Sequence, residues 1–507
     1  MSENSTSHAL LSIVDARVRL SRRKILQVSS FTLHPGQHWC LYGGNGAGKT
    51  VFARLLRNEL IQGRRFVQFN KDFEPERDIV TVSFEEQQRL WALDNRHDIS
   101  EFDATARDAG TTLEILATSA TDAPPAEDQL AALLNRLGIA AQRQSGIRYL
   151  SSGQIRKGLI VRALLSKLPG HARLLILDEP LEAIDRNARP IARRLLDEWL
   201  DGDNAIVSLC RRLDDIPDGA THLAEIVDLQ LLRQGPIQKF ESPEKAIKKR
   251  IEEVLSNLRL PCERESREST APQDREMPVC LREVTARYRD KVVLHQVNWR
   301  MEYGTHTLIE GPNGCGKSTL LSLIDGENHM AYGQEVYLFG RKRGSGESVW
   351  DIKARFGVVS NEIHNKYLKG WKVIDVVVSG FFDTVGLYDD SGGTQVDTAE
   401  QWLKALGVVE LEREYYQEVS FGQQRLVLLA RAMVKNPEVL ILDEPCVGLD
   451  DYHRELILRV VDKIAAETST QIIFVSHTEG EAPSCINQTL HFLPLADGTH
   501  QVKVSVG

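Results

Sequence analysis

No apolar stretch of this 507-residue chain approaches the roughly 18 residues needed to span a bilayer. The nearest candidate, Val376 to Phe382, is short and interrupted by Ser379 and Gly380. The chain is therefore not expected to form a membrane channel by itself. The first fifteen residues, MSENSTSHALLSIVD, lack the basic start and apolar core of a secretory signal, which makes the cytoplasm the expected compartment. Cysteine is sparse: seven residues, an odd number with no CxxC spacing, favour reduced thiols over a disulfide or zinc framework. Excess positive charge is also missing. A net charge of −9 argues against broad polyanion binding, so no nucleic-acid partner is expected, although a local basic patch remains compatible with it. What is present, 42% hydrophobic and 26% charged residues, is the balance of a globular protein with enough chain for several domains.

The chain is a tandem repeat. Two glycine-rich segments, Gly43 to Thr50 (GGNGAGKT) and Gly311 to Ser318 (GPNGCGKS), begin 268 residues apart, and at that offset Phe31 meets Trp299 and Arg19 meets Arg287, while Val28 matches Gln296 poorly. A repeat of about 230 residues is far longer than a solenoid unit. We divide the chain into 1–238, a linker 239–277 and 278–507. The linker opens on a helical pattern, Lys245 to Glu253, and continues as the polar stretch Pro261 to Pro278. In each copy a β-rich stretch precedes the glycine segment, a helix follows it, and a helical insert leads to a Ser-x-Gly-Gln element and an apolar strand ending in Asp-Glu. This alternation predicts an α/β fold: two P-loop NTPase domains, each with a mainly parallel central sheet, an antiparallel β part and a helical insert.

The glycine segments carry phosphate chemistry. Gly43, Asn45, Gly46 and Gly48, and their counterparts Gly311, Asn313, Gly314 and Gly316, turn successive backbone N–H groups toward an anion at a helix N-terminus. Lys49 and Lys317 are expected on the β- and γ-phosphates, with Thr319 beginning the helix beside them, and Thr50 and Ser318 on Mg²⁺. The carboxylates of Asp178-Glu179 and Asp443-Glu444 end buried strands, where ligands bind in open α/β sheets. Asp178 and Asp443 are candidate Mg²⁺ holders; Glu179 and Glu444 are candidates for polarising the attacking water. ATP and Mg²⁺ are the expected cofactors.

Between these motifs lie Leu150 to Gln154 (LSSGQ) and Val419 to Gln423 (VSFGQ), shortly before LLILDEP and VLILDEP. With these elements the chain resembles the ATP-binding-cassette (ABC) family over nearly its whole length. The resemblance implies that the signature of one cassette closes on the ATP held by the other. Site one would combine Lys49, Thr50, Asp178 and Glu179 with Ser420, Gly422 and Gln423. Site two would combine Lys317, Ser318, Asp443 and Glu444 with Ser151, Gly153 and Gln154. Ser152 and Phe421 depart from the glycine the family usually has at the middle position.

The two copies are unequal. His477, after Ile472 to Ser476, is similar to the family's switch histidine, which contacts the γ-phosphate and orients the catalytic glutamate. Matching Ala482-Pro483 to Ile216-Pro217 puts Arg211 in its place in the first copy, and a guanidinium cannot accept a hydrogen bond as a neutral imidazole can. Tyr288 resembles the aromatic that stacks on adenine, whereas Leu20 stands there in the first copy. At the family's Gln-loop position stand Asn361, a candidate metal ligand of shorter reach, and Phe84, which cannot ligate a cation; Gln87 or Gln88 are possible substitutes. Gly448-Leu449-Asp450 and Ala183-Ile184-Asp185 resemble the dimer-contact loop. The expectation is an ATPase with a strong second and a weak first site.

Within the second copy, Arg341 to Lys353, Ser379 to Asp383 and Phe421 resemble the tandem ATP-binding proteins of molybdate transport. That resemblance implies an importer subunit on a separate membrane permease, peripheral on the cytoplasmic face of the inner membrane. Arg341 to Arg343 read more simply as a solvated hairpin, and Cys315 and Cys446, although close to the nucleotide, as small fillers rather than redox-sensitive thiols. The alternative function is a soluble ABC ATPase without a permease, regulatory or ribosome-associated; the short linker of mixed charge favours the importer.

Overall fold

The computed structural model describes residues 9–20, 25–60, 66–96, 111–121, 124–168, 170–181, 184–185, 188–240, 244–261, 277–288, 291–312, 314–326, 328–367, 370–385, 392–478, 480–494 and 500–506. It comprises two compact units, Met1–Pro243 and Glu244–Gly507.

In the first unit, Leu11–Arg19 pairs antiparallel with Ile25–Leu33, and alternation turns Leu11, Ile13, Ala16 and Val18 into the core. The strands His38–Tyr42 and Ala205–Cys210 are buried throughout, and Leu174–Asp178 is buried up to Leu177; such continuous apolar runs belong to parallel strands covered on both faces. Among the described residues one sheet runs in the order Val67–Phe69, Leu11–Arg19, Ile25–Leu33, Gln230–Pro236, His222–Val227, His38–Tyr42, Ala205–Cys210, Leu174–Asp178, Ile79–Val82. The antiparallel part is thus continuous with the parallel part, joined where Gln27 pairs with Gln230. The helical insert packs Leu113, Leu116, Leu130 and Leu134 on Leu159 and Ile160 of the helix Ser152–Leu165.

The second unit has the same architecture with the two β parts separate. An antiparallel sheet orders Lys291–Met301, Val279–Tyr288, Glu335–Leu338 and Arg341–Lys342. The central sheet orders Phe356–Val359, Val439–Asp443, Gln471–Ser476, Thr307–Glu310, Gln488–Pro494 and His500–Val506; all its neighbours are parallel except the last pair. The helix Glu244–Asn257 also belongs to this unit: Ile251 is buried, Val254 and Leu255 pack on the core of the helical insert, and Arg250 lies 4.4 Å from the centroid of the Tyr452 ring. The segment Arg341 to Arg343 is not simply a solvated hairpin, because the Arg343 side chain is fully buried and donates to Glu347 at 2.8 Å. No helix among the described residues is long and apolar enough to cross a membrane.

Candidate nucleotide sites

Each glycine segment links the end of a central strand to a helix that starts at the lysine, Lys49–Leu56 or Lys317–Ile324. Gly46 and Gly48 (φ 76° and 108°) and Gly314 and Gly316 (φ 78° and 110°) take left-handed conformations that a side chain would strain. Close packing forbids a Cβ as well: on Gly43 it would lie 2.3 Å from the Ile226 carbonyl oxygen, and on Gly311 2.6 Å from Phe492 Cβ. The lysine ammonium groups sit inside their loops. Lys49 Nζ donates to the carbonyls of Gly43 (2.7 Å) and Gly44 (3.0 Å), and Lys317 Nζ to those of Gly311 (2.8 Å) and Pro312 (3.0 Å). Asn45 lies in the first loop; Asn313 falls outside the described residues.

The acidic pairs stand where the sequence places them. Thr50 Oγ1 donates to Asp178 Oδ2 at 3.3 Å, bringing two hard oxygen donors together at the start of the loop helix. Burial raises the Asp178 pKa, opposed by the charge of Lys49 and the Thr50 hydrogen bond. Asp443 is pushed up to about 6, first by burial and then by the adjacent Glu444, against the charges of Lys317 and Arg425. Among the described residues no cluster of three or more His, Cys, Asp or Glu side chains could hold a metal. A hydroxyl and one carboxylate per site suit Mg²⁺, which keeps much of its shell as water and phosphate oxygen. Ser318 occupies the position equivalent to Thr50, on the helix beside Lys317.

Glu179 and Glu444 follow the strands in left-handed backbone (φ 48° and 50°), a strained geometry for a non-glycine residue and one that clusters at functional sites. Their partners differ. His477 Nδ1 lies 3.1 Å from Glu444 Oε1 and donates to it; this hydrogen bond lowers the Glu444 pKa and raises that of His477. In the first unit Arg211 Nη1 donates to Glu179 Oε2 at 2.6 Å, an ion pair with both side chains mostly buried. A histidine can release this hold by losing a proton, and a guanidinium cannot.

The signature elements have a local role that the motif alone hides. Ser151 and Ser420 cap the helices Ser152–Leu165 and Phe421–Met433, and Gln154 and Gln423 complete reciprocal capping boxes. Each serine hydroxyl accepts the glutamine N–H at 3.3 Å, and each glutamine oxygen accepts the serine N–H at 2.9 Å. The Ser-x-x-Gln spacing is the sequence signal for this device. Gly422 packs under the His453 ring, 2.2 Å from where a Cβ would stand, and Asp450 accepts from both the His453 backbone N–H and Nδ1 at 2.8 Å. Phe421 fills the departure from the family pattern: its ring lies against Gly448, meets His364 edge-on at 5.3 Å, and sits 4.8 Å from the Arg425 guanidinium. Ser152, the corresponding residue of the first unit, is exposed, as is Ser151, and Gly153 is half-buried. Asp185 is held by Lys157 at 2.6 Å, whereas Ala183 lies outside the described residues.

At the Gln-loop positions the structure departs most from expectation. Asn361 opens the helix Asn361–Lys366, and its side-chain oxygen accepts a hydrogen bond from Arg425. Phe84 is 53% exposed at the start of Phe84–Arg96, with Gln87 buried and Gln88 exposed. Glu85, which sequence reasoning passed over, acts on Asp178 by charge. Tyr288 ends the strand Val279–Tyr288, but its side chain falls outside the described residues, so its stacking role does too; Leu20 is exposed. Cys315 and Cys446 are buried, and burial raises the Cys315 pKa, as suits small fillers rather than reactive thiols.

Residues 26–182 and 294–447 each match the family described as ABC transporter. The chain is 37% identical over 493 residues to the ABC transporter ATP-binding protein ModF of Escherichia coli (strain K12), covering 96% of this chain and 97% of that protein. It is 25% identical over 476 residues to an uncharacterised ABC transporter ATP-binding protein of Schizosaccharomyces pombe, covering 91% and 93%. Among solved structures, the archaeal ribosome recycling factor aABCE1, crystallised with the ribosomal stalk protein aP1, matches with a TM-score of 0.57 and 15% identity over 96% of this chain and 89% of that one, a likeness of fold alone.

Proposed function

The chain belongs to the ABC transporter family of ATP-binding proteins, and from that premise we propose that it is the ATP-hydrolysing subunit of an importer, energising molybdate uptake through a separate permease. The observation that carries the ATPase reading is the contact of His477 with Glu444, one residue beyond Asp443. ATP brings the phosphoryl group and Mg²⁺ the charge that offsets it. Lys317 and the loop N–H groups bind phosphate, Ser318 and Asp443 hold the cation, and Glu444, oriented by His477, takes the proton of the attacking water. Lys49, Thr50 and Asp178 repeat the binding half of this arrangement.

We further propose that the sites are unequal. Arg211 occupies the Glu179 carboxylate with a permanent charge, so the first site binds ATP and turns it over slowly. The two cassettes then work as a pair, with Ser420, Gly422 and Gln423 serving the first nucleotide and Ser151, Gly153 and Gln154 the second, as the family pattern implies. The importer reading, and with it a place on the cytoplasmic face of the inner membrane, rests on the resemblance of Arg341 to Lys353, Ser379 to Asp383 and Phe421 to the tandem ATP-binding proteins of molybdate transport; the 37% identity to the ABC transporter ATP-binding protein ModF across nearly all of both chains is in keeping with it. A permease-free regulatory or ribosome-associated ATPase is the second reading; it is favoured by the Gln-loop positions, where Phe84 is exposed and Asn361 is held by Arg425. Capture of the Glu444→Gln protein by a co-expressed molybdate permease in ATP and Mg²⁺ supports the importer. Failure of capture, with ATPase activity intact in the unsubstituted protein, overturns it in favour of the second reading.

A further inference from the structure

Five residues after each signature serine stands a buried arginine, Arg156 in the first unit and Arg425 in the second, each 1% exposed. Taking a guanidinium out of water costs several kcal/mol unless partners replace the lost solvation. Around Arg425 those partners are few. Nη2 donates to Asn361 Oδ1, the Phe421 ring faces the guanidinium at 4.8 Å, and Tyr416, Cys446, Asp443 and Glu444 act on it by charge. Its Nε and Nη1 are buried without a hydrogen-bond partner among the described residues. One side chain therefore touches two elements that the motifs treat separately: the first residue of Asn361–Lys366, just beyond the strand Phe356–Val359, and the signature Ser420 to Gln423, through Phe421. The first unit lacks the arrangement, because Phe84 and Ser152 stand where Asn361 and Phe421 do.

We propose that Arg425 is a positioning residue of the second nucleotide site and that Asn361 serves it as a hydrogen-bond acceptor, in place of the metal-ligand role its position suggests. The tie binds the loop after Phe356–Val359 to the signature helix and keeps the guanidinium beside the acidic pair. An Asn361 oxygen committed to a charged donor is not free to complete a Mg²⁺ shell without breaking that bond, and the broken bond would leave the buried arginine without a side-chain hydrogen-bond acceptor among the described residues.

This inference rests on the second cassette being the hydrolytic one, and its test separates the two ideas. In the full chain carrying Lys49→Ala, binding of a fluorescent ATP analogue is titrated with Mg²⁺ alone, and kcat and KM are measured, for Asn361→Ala, Arg425→Gln and the double variant. The expected result is a Mg²⁺ half-saturation within about 2-fold of the parent, with kcat lowered about 10-fold in each single variant and no further in the double, as for residues acting as one unit. A Mg²⁺ half-saturation raised about 10-fold or more by Asn361→Ala would mark Asn361 as a ligand and overturn the proposal. Losses in kcat that multiply in the double variant would overturn it as well. If Arg425→Gln does not fold, Arg425→Lys, which keeps the charge and loses the fork, takes its place in the cycle. Glu444→Gln is the separate control: retained ATPase there removes the hydrolytic reading of this cassette, whereas the Mg²⁺ titration, read in binding, still decides the role of Asn361.

Discussion

Arg211 donates to Glu179 at 2.6 Å, in the place where His477 meets Glu444 at 3.1 Å. Both glutamates directly follow equivalent strands in the same left-handed backbone, so the difference between the cassettes is concentrated in the partner. With Glu179 tied to a permanent cation, Glu444→Gln should lower steady-state ATPase activity of the full chain by about 100-fold or more, the scale of losing a general base. Glu179→Gln should change it by less than about 2-fold, an effect within the range of an ion pair outside the chemical step. Equal losses in a phosphate-release assay would contradict the unequal sites.

The same relationship makes a gain of function testable. Arg211→His replaces the fixed charge with a group that titrates near neutrality and can release the glutamate. In a Glu444→Gln background, this substitution should raise residual ATP turnover by about 10-fold, a partial recovery of the roughly 100-fold or more that general-base catalysis contributes. Turnover that stays at the Glu444→Gln level would show that Arg211 is not what restrains the first site.

Part of the stability lost in acid should come from two buried imidazoles, one in each unit. His38 bonds Ser208 at 2.8 Å and His364 bonds Tyr416 at 2.8 Å; burial lowers both pKa values to about 4, with Arg425 adding to the effect on His364. The unfolded chain takes up these protons near 6.5, the folded chain only near 4, so stability falls as pH drops between those values and is unaffected above them. For His38 the full loss is about 3 kcal/mol, because a tenfold difference in proton affinity between the folded and unfolded chain corresponds to roughly 1.4 kcal/mol. Urea unfolding of His38→Gln from pH 7 to 4 should show a correspondingly shallower decline; a decline as steep as in the parent protein would remove His38 as its source.

Much of this was legible in the chain because the chemistry is local. The phosphate loops, the acidic strand ends and the replacement of a histidine by Arg211 follow from residues adjacent in sequence, and the alternation of apolar strands and helices fixed the fold class without further information. What was hidden depends on contacts distant in sequence. Arg425 reaches Asn361 across 64 positions, and no periodicity announces that both arginines of the signature helix, Arg425 and Arg431, are buried or which partner each one meets. The antiparallel strands join the central sheet in the first unit and not in the second, a difference resting on the single pairing of Gln27 with Gln230. Arg343 looked like part of a solvated basic run because its partner Glu347 is identified only by burial.

Gly422 provides the sharpest steric test of the signature corner. A Cβ at this position would stand 2.2 Å from His453 Cγ, and the ring cannot simply swing aside, because Asp450 holds it through both Nδ1 and the backbone N–H. Relief requires either breaking the cap of the helix Asp451–Glu467 or shifting Ser420 to Gln423. Gly422→Ala should therefore destabilise the protein by about 1–3 kcal/mol, the range for overpacking a filled site. Gly393→Ala is the matched control: it lies in the helix Gly393–Ala405 with nothing within 4 Å of a new Cβ, and should be neutral or stabilising by up to about 1 kcal/mol. Thermal unfolding of the two variants side by side checks the contrast, and a Gly422→Ala protein as stable as Gly393→Ala would mean that His453 yields easily and that the corner is softer than its packing implies.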